Sequence, residues 1–157
     1  MRVSVIGGSS FDDETAEVAR EVGRLLGERG HTLVCGGLGG VMAAVCRGAR
    51  KAEDGQHDVE TIGILPTTRR ADANEWVTTP IATGLGNARN PLVVLNGDAV
   101  IAIDGAAGTL SELGHALDHG RPVAGLDTHD VDLDGFRAVE TPAEAVEYVE
   151  SRAGDRG

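Results

Sequence analysis

The stretch Thr32-Leu33-Val34-Cys35-Gly36-Gly37-Leu38-Gly39-Gly40-Val41-Met42 decides the fold class. An apolar run too short for a helix stops at a cluster of glycines. The chain then continues from Val41 to Ala52 with apolar residues at helical spacing. A strand that runs through a glycine turn into a helix is the opening half of a parallel crossover unit. The same order returns further on: Ala99–Ile103 reads as a strand, Asp104–Gly108 as a turn and Thr109–His119 as a helix closed by Gly120.

The rest of the chain follows the same alternation. Arg2–Ile6 reads as a buried strand ending in Gly7-Gly8-Ser9-Ser10, and Asp12 or Asp13 caps a helix to about Arg29. Glu53–Glu60 is polar and reads as loop. Thr61–Leu65 is a strand stopped by Pro66, Glu75–Thr79 a further strand, and Asn87–Leu95 a helix. Strands are expected at Pro122–Leu126 and Phe136–Val139. Thr141-Pro142, a cap followed by proline at the first helical position, opens a last helix to about Arg152. The expected fold is α/β: a three-layer, Rossmann-like, doubly wound and mainly parallel sheet of about six or seven strands. Residues 1–152 are expected to form one domain, with 153–157 a frayed tail.

Composition bounds the function. The chain has 157 residues, 23 glycines and a formal charge of −11, with Lys51 its only lysine. Few cations are available to displace counterions, so no nucleic-acid partner is expected. The acidic, lysine-poor balance suggests a salt-rich cytoplasm, with a GC-rich genome as the plainer explanation. Cys35 and Cys46 form no CxxC pair and read as small buried residues of a reducing compartment. No leader-like segment and no apolar run of about 20 residues is seen, which predicts a cytoplasmic location and no membrane partner.

Both glycine turns suit an oxyanion. Without Cβ atoms the backbone N–H groups face inward, and the helix that follows adds the partial positive charge of its N-terminus. Gly36–Gly40 is not a P-loop, because no Lys-Ser/Thr follows, and Met42 stands where a dinucleotide fingerprint has its third glycine. In the second turn Thr109 brings a hydroxyl, and Glu112 lies three residues on, the spacing of a capping box. Ligands of parallel sheets bind beyond the carboxyl ends of the strands, where Gly7–Ser10 and Thr67–Arg70 also fall. Glu112, His115 and His119 share a helical face, but two histidines at a helix end are more often surface or capping residues, so no metal is expected. Asp130, Asp132 and Asp134 imitate a calcium loop that lacks its glutamate, with Thr141 at the twelfth place.

Gly36–Met42 followed by Gly105–Glu112 resembles the two motifs of the lonely-guy nucleotide-binding superfamily, and Gly86-Asn87-Ala88-Arg89-Asn90 occupies the place of its helix-opening arginine. Within it the chain looks like the short prokaryotic branch that includes molybdenum-cofactor carrier proteins. Departures are Cys35 and Ala43 for the outer glycines of the first motif, Asp104 for the proline and Ala106 for the second glycine of the second. Asn90 stands where cytokinin-activating members have lysine.

The resemblance implies a phosphoribohydrolase that cleaves the N-glycosidic bond of a nucleoside 5′-monophosphate, releasing base and ribose 5-phosphate. Arg89 and Glu112 are the expected catalytic residues. Gly7, Gly8, Ser9, Gly36, Gly37, Gly39, Gly40, Met42, Asn90, Gly105, Gly108 and Thr109 are the expected ligand-binding set. The alternative it implies is a non-catalytic carrier of molybdenum cofactor. The partner is then a small-molecule nucleotide or a phosphorylated pterin. No cofactor is required; molybdenum cofactor would be bound only as the alternative's ligand. A homodimer or higher homo-oligomer is expected.

Overall fold

The computed structural model describes residues 1–8, 12–52 and 55–154. Seven strands form one parallel sheet: β1 (Arg2–Gly7), β2 (Thr32–Cys35), β5 (Thr61–Leu65), β6 (Thr79–Ala82), β7 (Ala99–Ile103), β8 (Val123–Leu126) and β9 (Phe136–Val139). Their order across the sheet is β6-β5-β2-β1-β7-β8-β9. The doubly wound, Rossmann-like α/β fold expected from the sequence is the one observed. Between β2 and β5 lies a small antiparallel hairpin, β3 (Lys51–Ala52) with β4 (Gly55–Gln56), where the polar composition suggested only loop.

Alternation along the strands creates two cores. Val3 and Val5 of β1, Leu33 and Cys35 of β2, and Ala99, Ile101 and Ile103 of β7 face one side. There they meet α1 (Asp13–Glu28), α2 (Val41–Arg50) and α5 (Pro142–Gly154). Ile6, Val34, Val100 and Ala102 face the other side, against α3 (Asn90–Leu95) and α4 (Ala107–Asp118). Ser4 also points that way, and its buried hydroxyl is satisfied by the Val93 carbonyl at 2.6 Å. On the first side α1 and α2 lie backbone to backbone: a Cβ on Gly23 would stand 2.1 Å from the Val45 carbonyl oxygen.

Helix ends obey local chemistry. Asp12 caps α1 by accepting from the Thr15 N–H at 2.8 Å, and Thr141 accepts from the Glu144 N–H before Pro142 opens α5. Several boundaries differ from the sequence reading: α2 ends at Arg50 because Lys51 and Ala52 turn extended into β3, and α4 runs Ala107–Asp118 rather than Thr109–His119. Strand β6 runs Thr79–Ala82 rather than Glu75–Thr79, because Pro80 is tolerated on an edge strand whose only neighbour is β5. The segment before α3 begins as a 3₁₀ turn at Gly86–Arg89. Helix α5 extends through Gly154, past the expected end at Arg152.

The chain winds outward from β1 through β2, β5 and β6, then returns to lay β7 on the opposite flank of β1. That reversal opens a crevice at the carboxyl ends of β1 and β7, where Gly7 pairs in register with Ile103. A Cβ on Gly7 would sit 2.5 Å from the Ile103 carbonyl oxygen and 2.8 Å from Val41 Cγ1. Only glycine fits at the floor of this crevice.

Candidate functional site

A cleft of about 550 Å³ opens at the switch point. Gly7 and Gly8 from the end of β1, Gly36 and Met42 around the first glycine turn, and Arg89 and Asn90 at the start of α3 line it. Gly105, Gly108, Thr109 and Glu112 close it from the second turn and α4. The fold thus gathers these residues from four separate segments. Gly37, Gly39 and Gly40 do not line the cleft, nor do Thr67 and Thr68, and Ser9 and Ser10 lie outside the described residues.

The two glycine turns play different parts. In the first, Gly37 (φ 80°) packs against Gly63 and Leu65. Asn74 binds it from behind: its backbone N–H reaches the Gly37 carbonyl at 2.9 Å and its Nδ2 the Leu38 carbonyl at 2.9 Å. The first N–H of α2, that of Val41, already donates to the Gly8 carbonyl at 3.2 Å. The second turn is more open. Helix α4 begins at Ala107, its cap is Ala106, and among the described residues, as at α2, no side chain caps its first turn. Thr109 is therefore the third helical residue and Glu112 lies a turn beyond, so the two form no capping box.

Thr109 is only 3% exposed, lines the cleft, and its hydroxyl has no hydrogen-bond partner among the described residues. Gly105 (φ 106°) makes room for it, since a Cβ there would lie 2.2 Å from Thr109 Oγ1. Asp104 has φ 52°, a conformation closed to proline, whose ring fixes φ near −65°. The departure from the family's proline thus accompanies a left-handed backbone at the mouth of the second turn.

Arg89 is 7% exposed and held on three sides. Its Nε donates to the Ile64 carbonyl at 2.8 Å, its Nη2 to the Gly36 carbonyl at 3.3 Å, and its Nη1 to Asn90 Oδ1. Three of its five N–H donors are committed to protein acceptors, which leaves one on each terminal nitrogen. Lysine at position 90 has no acceptor with which to hold Arg89 this way. Burial lowers the Arg89 pKa, and the charges of Glu112 and Cys35 oppose that shift.

Glu112 makes no hydrogen bond or ion pair among the described residues. Burial pushes its carboxyl up to about 7 against the pull of Arg89, so it is poised near half-protonation at neutral pH. Behind Gly36, Cys35 and Cys46 are buried free thiols with sulfurs 3.5 Å apart. Cys46 is raised by its contact with Cys35 and by burial; Cys35 is lowered by the same contact.

The residues that the sequence did not single out for the site are Val5, Ile6, Leu38, Pro66, Asn87, Asp104 and Ala106, which line the cleft, and Asn74, which backs it. The motif Gly86–Asn90 contained the signal for Asn87. No local signal marks Asn74, a polar residue in a loop. Among the described residues no group of three or more His, Cys, Asp or Glu side chains could hold a metal ion, and no helix is long and apolar enough to cross a membrane.

A model of the SLOG cluster4 family matches residues 1–153. An uncharacterized protein of Archaeoglobus fulgidus is 44% identical over 149 residues, covering 94% of this chain and 93% of its own. Solved structures that share the fold over nearly their full lengths include the molybdenum cofactor binding protein of the phototrophic bacterium Rippkaea orientalis, with TM-score 0.83 and 31% identity over 96% of this chain and 95% of that one. Another is the Moco carrier protein of Chlamydomonas reinhardtii, with TM-score 0.85 and 27% identity over 98% of both chains.

Proposed function

From the premise that the chain belongs to the SLOG cluster4 family, we propose that it captures the phosphate end of a phosphorylated heterocycle at the start of α4 and holds molybdenum cofactor there as unaltered cargo. The observation that carries the reading is the open first turn of α4 beside the unpartnered Thr109 hydroxyl. Backbone N–H groups and the helix dipole favour an anion there. Arg89 adds a fixed positive charge without having to reorganise. Ile6, Leu38 and Met42 offer an apolar wall for a planar ring, and Asn87 a polar edge.

Two features favour storage over turnover. Arg89 is immobilised by two backbone carbonyls, and Asn90 stands in place of a lysine. The two structures of similar fold are described as binding or carrying that cofactor, which is consistent with this reading. A second reading, hydrolysis of a nucleoside 5′-monophosphate, is favoured by Glu112: a carboxyl with no partner and a pKa near 7 is suited to general acid–base work. In that reaction water adds to the anomeric carbon, the glycosidic C–N bond breaks and the base leaves protonated.

One pair of assays separates them. Protein purified from a molybdenum-replete host is oxidised and its pterin fluorescence measured; the same protein without cargo is incubated with AMP or GMP and free base is assayed. Cargo with no released base is the expected result. Base release that E112Q abolishes while AMP still binds would replace storage by hydrolysis. Neither pterin nor base nor AMP binding would remove the phosphorylated-ligand reading altogether.

A further inference from the structure

The second glycine turn is a wall between two clefts, and its far side is braced by a loop that belongs to neither motif. Asp104, Gly105 and Ala106 line the switch-point cleft. Thr128 and His129, in the segment after β8, line a second cleft of about 460 Å³ over the ends of β7, β8 and β9, which shares Asp104 with the first. From that side Thr128 Oγ1 donates to the Asp104 carbonyl at 2.6 Å. His129 Nε2 lies 2.9 Å from the Ala106 carbonyl; a carbonyl only accepts, so this nitrogen carries the proton. The Asp104 N–H, in turn, donates to the Leu126 carbonyl at 3.1 Å.

A planar trans peptide points its carbonyl and its N–H in opposite directions. Holding the Asp104 carbonyl toward Thr128 therefore turns the Gly105 N–H away from Thr128. Holding the Ala106 carbonyl, which also accepts from the Leu110 N–H at 3.1 Å, turns the Ala107 N–H out of the helix. Both carbonyls are gripped from the second cleft, so both donors turn away from it, toward the side where Gly105, Ala106 and Gly108 line the switch-point cleft. We propose that Thr128 and His129 are positioning residues that aim the Gly105 and Ala107 N–H groups into the switch-point cleft, and so set its affinity for a phosphate monoester. This rests on the phosphate-binding reading of the α4 start given above.

The test uses AMP as probe, with affinity read by titration calorimetry and the free-protein amide resonances of Gly105 and Ala107 by NMR. Loss of one aimed donor should weaken binding by about 10- to 100-fold, the scale of a hydrogen bond to a charged group. T128V and H129F should each do so and shift both resonances, while T128S, which keeps the hydroxyl, should bind within about twofold of wild type. If wild type binds AMP and the two variants bind as well as it does, the positioning claim is overturned and the site stands. If T128S binds as weakly as T128V, the hydroxyl is not the cause and the claim also fails. Wild type that binds no AMP would overturn the site reading first. Should T128V not fold, H129F and T128S decide the question on their own.

Discussion

Arg89 and Glu112 line the same cleft, sense each other's charge and yet form no ion pair. Arg89 spends its hydrogen bonds on the Ile64 and Gly36 carbonyls and on Asn90, whereas Glu112 spends none among the described residues. One is a fixed strut that also carries charge; the other is a free carboxyl whose burial is compensated by no hydrogen-bond partner.

Glu112 is expected to lower stability at alkaline pH. Its folded pKa, about 7, lies above its ordinary value of 4.5, so the folded state binds this proton more tightly than the unfolded state. The favourable contribution is complete below about 4.5 and is lost as pH climbs through about 7. E112Q should therefore stabilise the protein by about 1–3 kcal/mol at pH 8 and change little at pH 4.5. Urea midpoints at the two pH values check this; an equal effect at both would contradict it.

Replacing Arg89 should harm folding as well as binding. R89M leaves the buried Ile64 and Gly36 carbonyls without their donor, a loss of about 2–4 kcal/mol. R89K should rescue little, since an ammonium cannot reproduce the planar fork that spans both carbonyls and Asn90. Thermal melts of the two variants, with AMP titrations on whatever folds, provide the check. A variant of wild-type stability would mean that Arg89 is not the strut described.

Glycine positions in one turn should differ sharply. Gly105 combines φ 106° with a would-be Cβ 2.2 Å from Thr109 Oγ1, so G105A should cost more than about 2 kcal/mol and abolish AMP binding. Gly108 has open space around its would-be Cβ, so G108A should stay within about 0.5 kcal/mol of wild type. Denaturant curves for the pair decide the matter, and comparable losses would show that the turn is less constrained than its geometry states.

Much of this arrangement was legible in the sequence. Strands β5, β7 and β9 fell where their apolar runs begin and end, and the two glycine turns fell at the carboxyl ends of strands. What was missed has physical causes. Pro80 reads as a breaker unless the strand is known to be an edge, and edges are set by sheet order, which local pattern does not encode. Thr109 and Glu112 carry capping-box spacing, but the helix starts two residues earlier, at Ala107, once Ala106 rather than a hydroxyl takes the cap. Five expected binding glycines line the cleft while Gly37, Gly39 and Gly40 do not, because tertiary contacts from Asn74, Gly63 and Leu65 claim the first turn. Asn74, Thr128 and His129 look like any polar loop residues until the strands they follow are placed side by side.

On the proposed function, phosphate binds at the start of α4 rather than at the start of α2. A titration of ¹⁵N-labelled protein with AMP, followed by backbone amide NMR, tests it most directly. Saturable shifts concentrated at Ala107, Gly108 and Thr109 are the predicted result. Shifts centred on Gly39, Gly40 and Val41, or none at either turn, would contradict it.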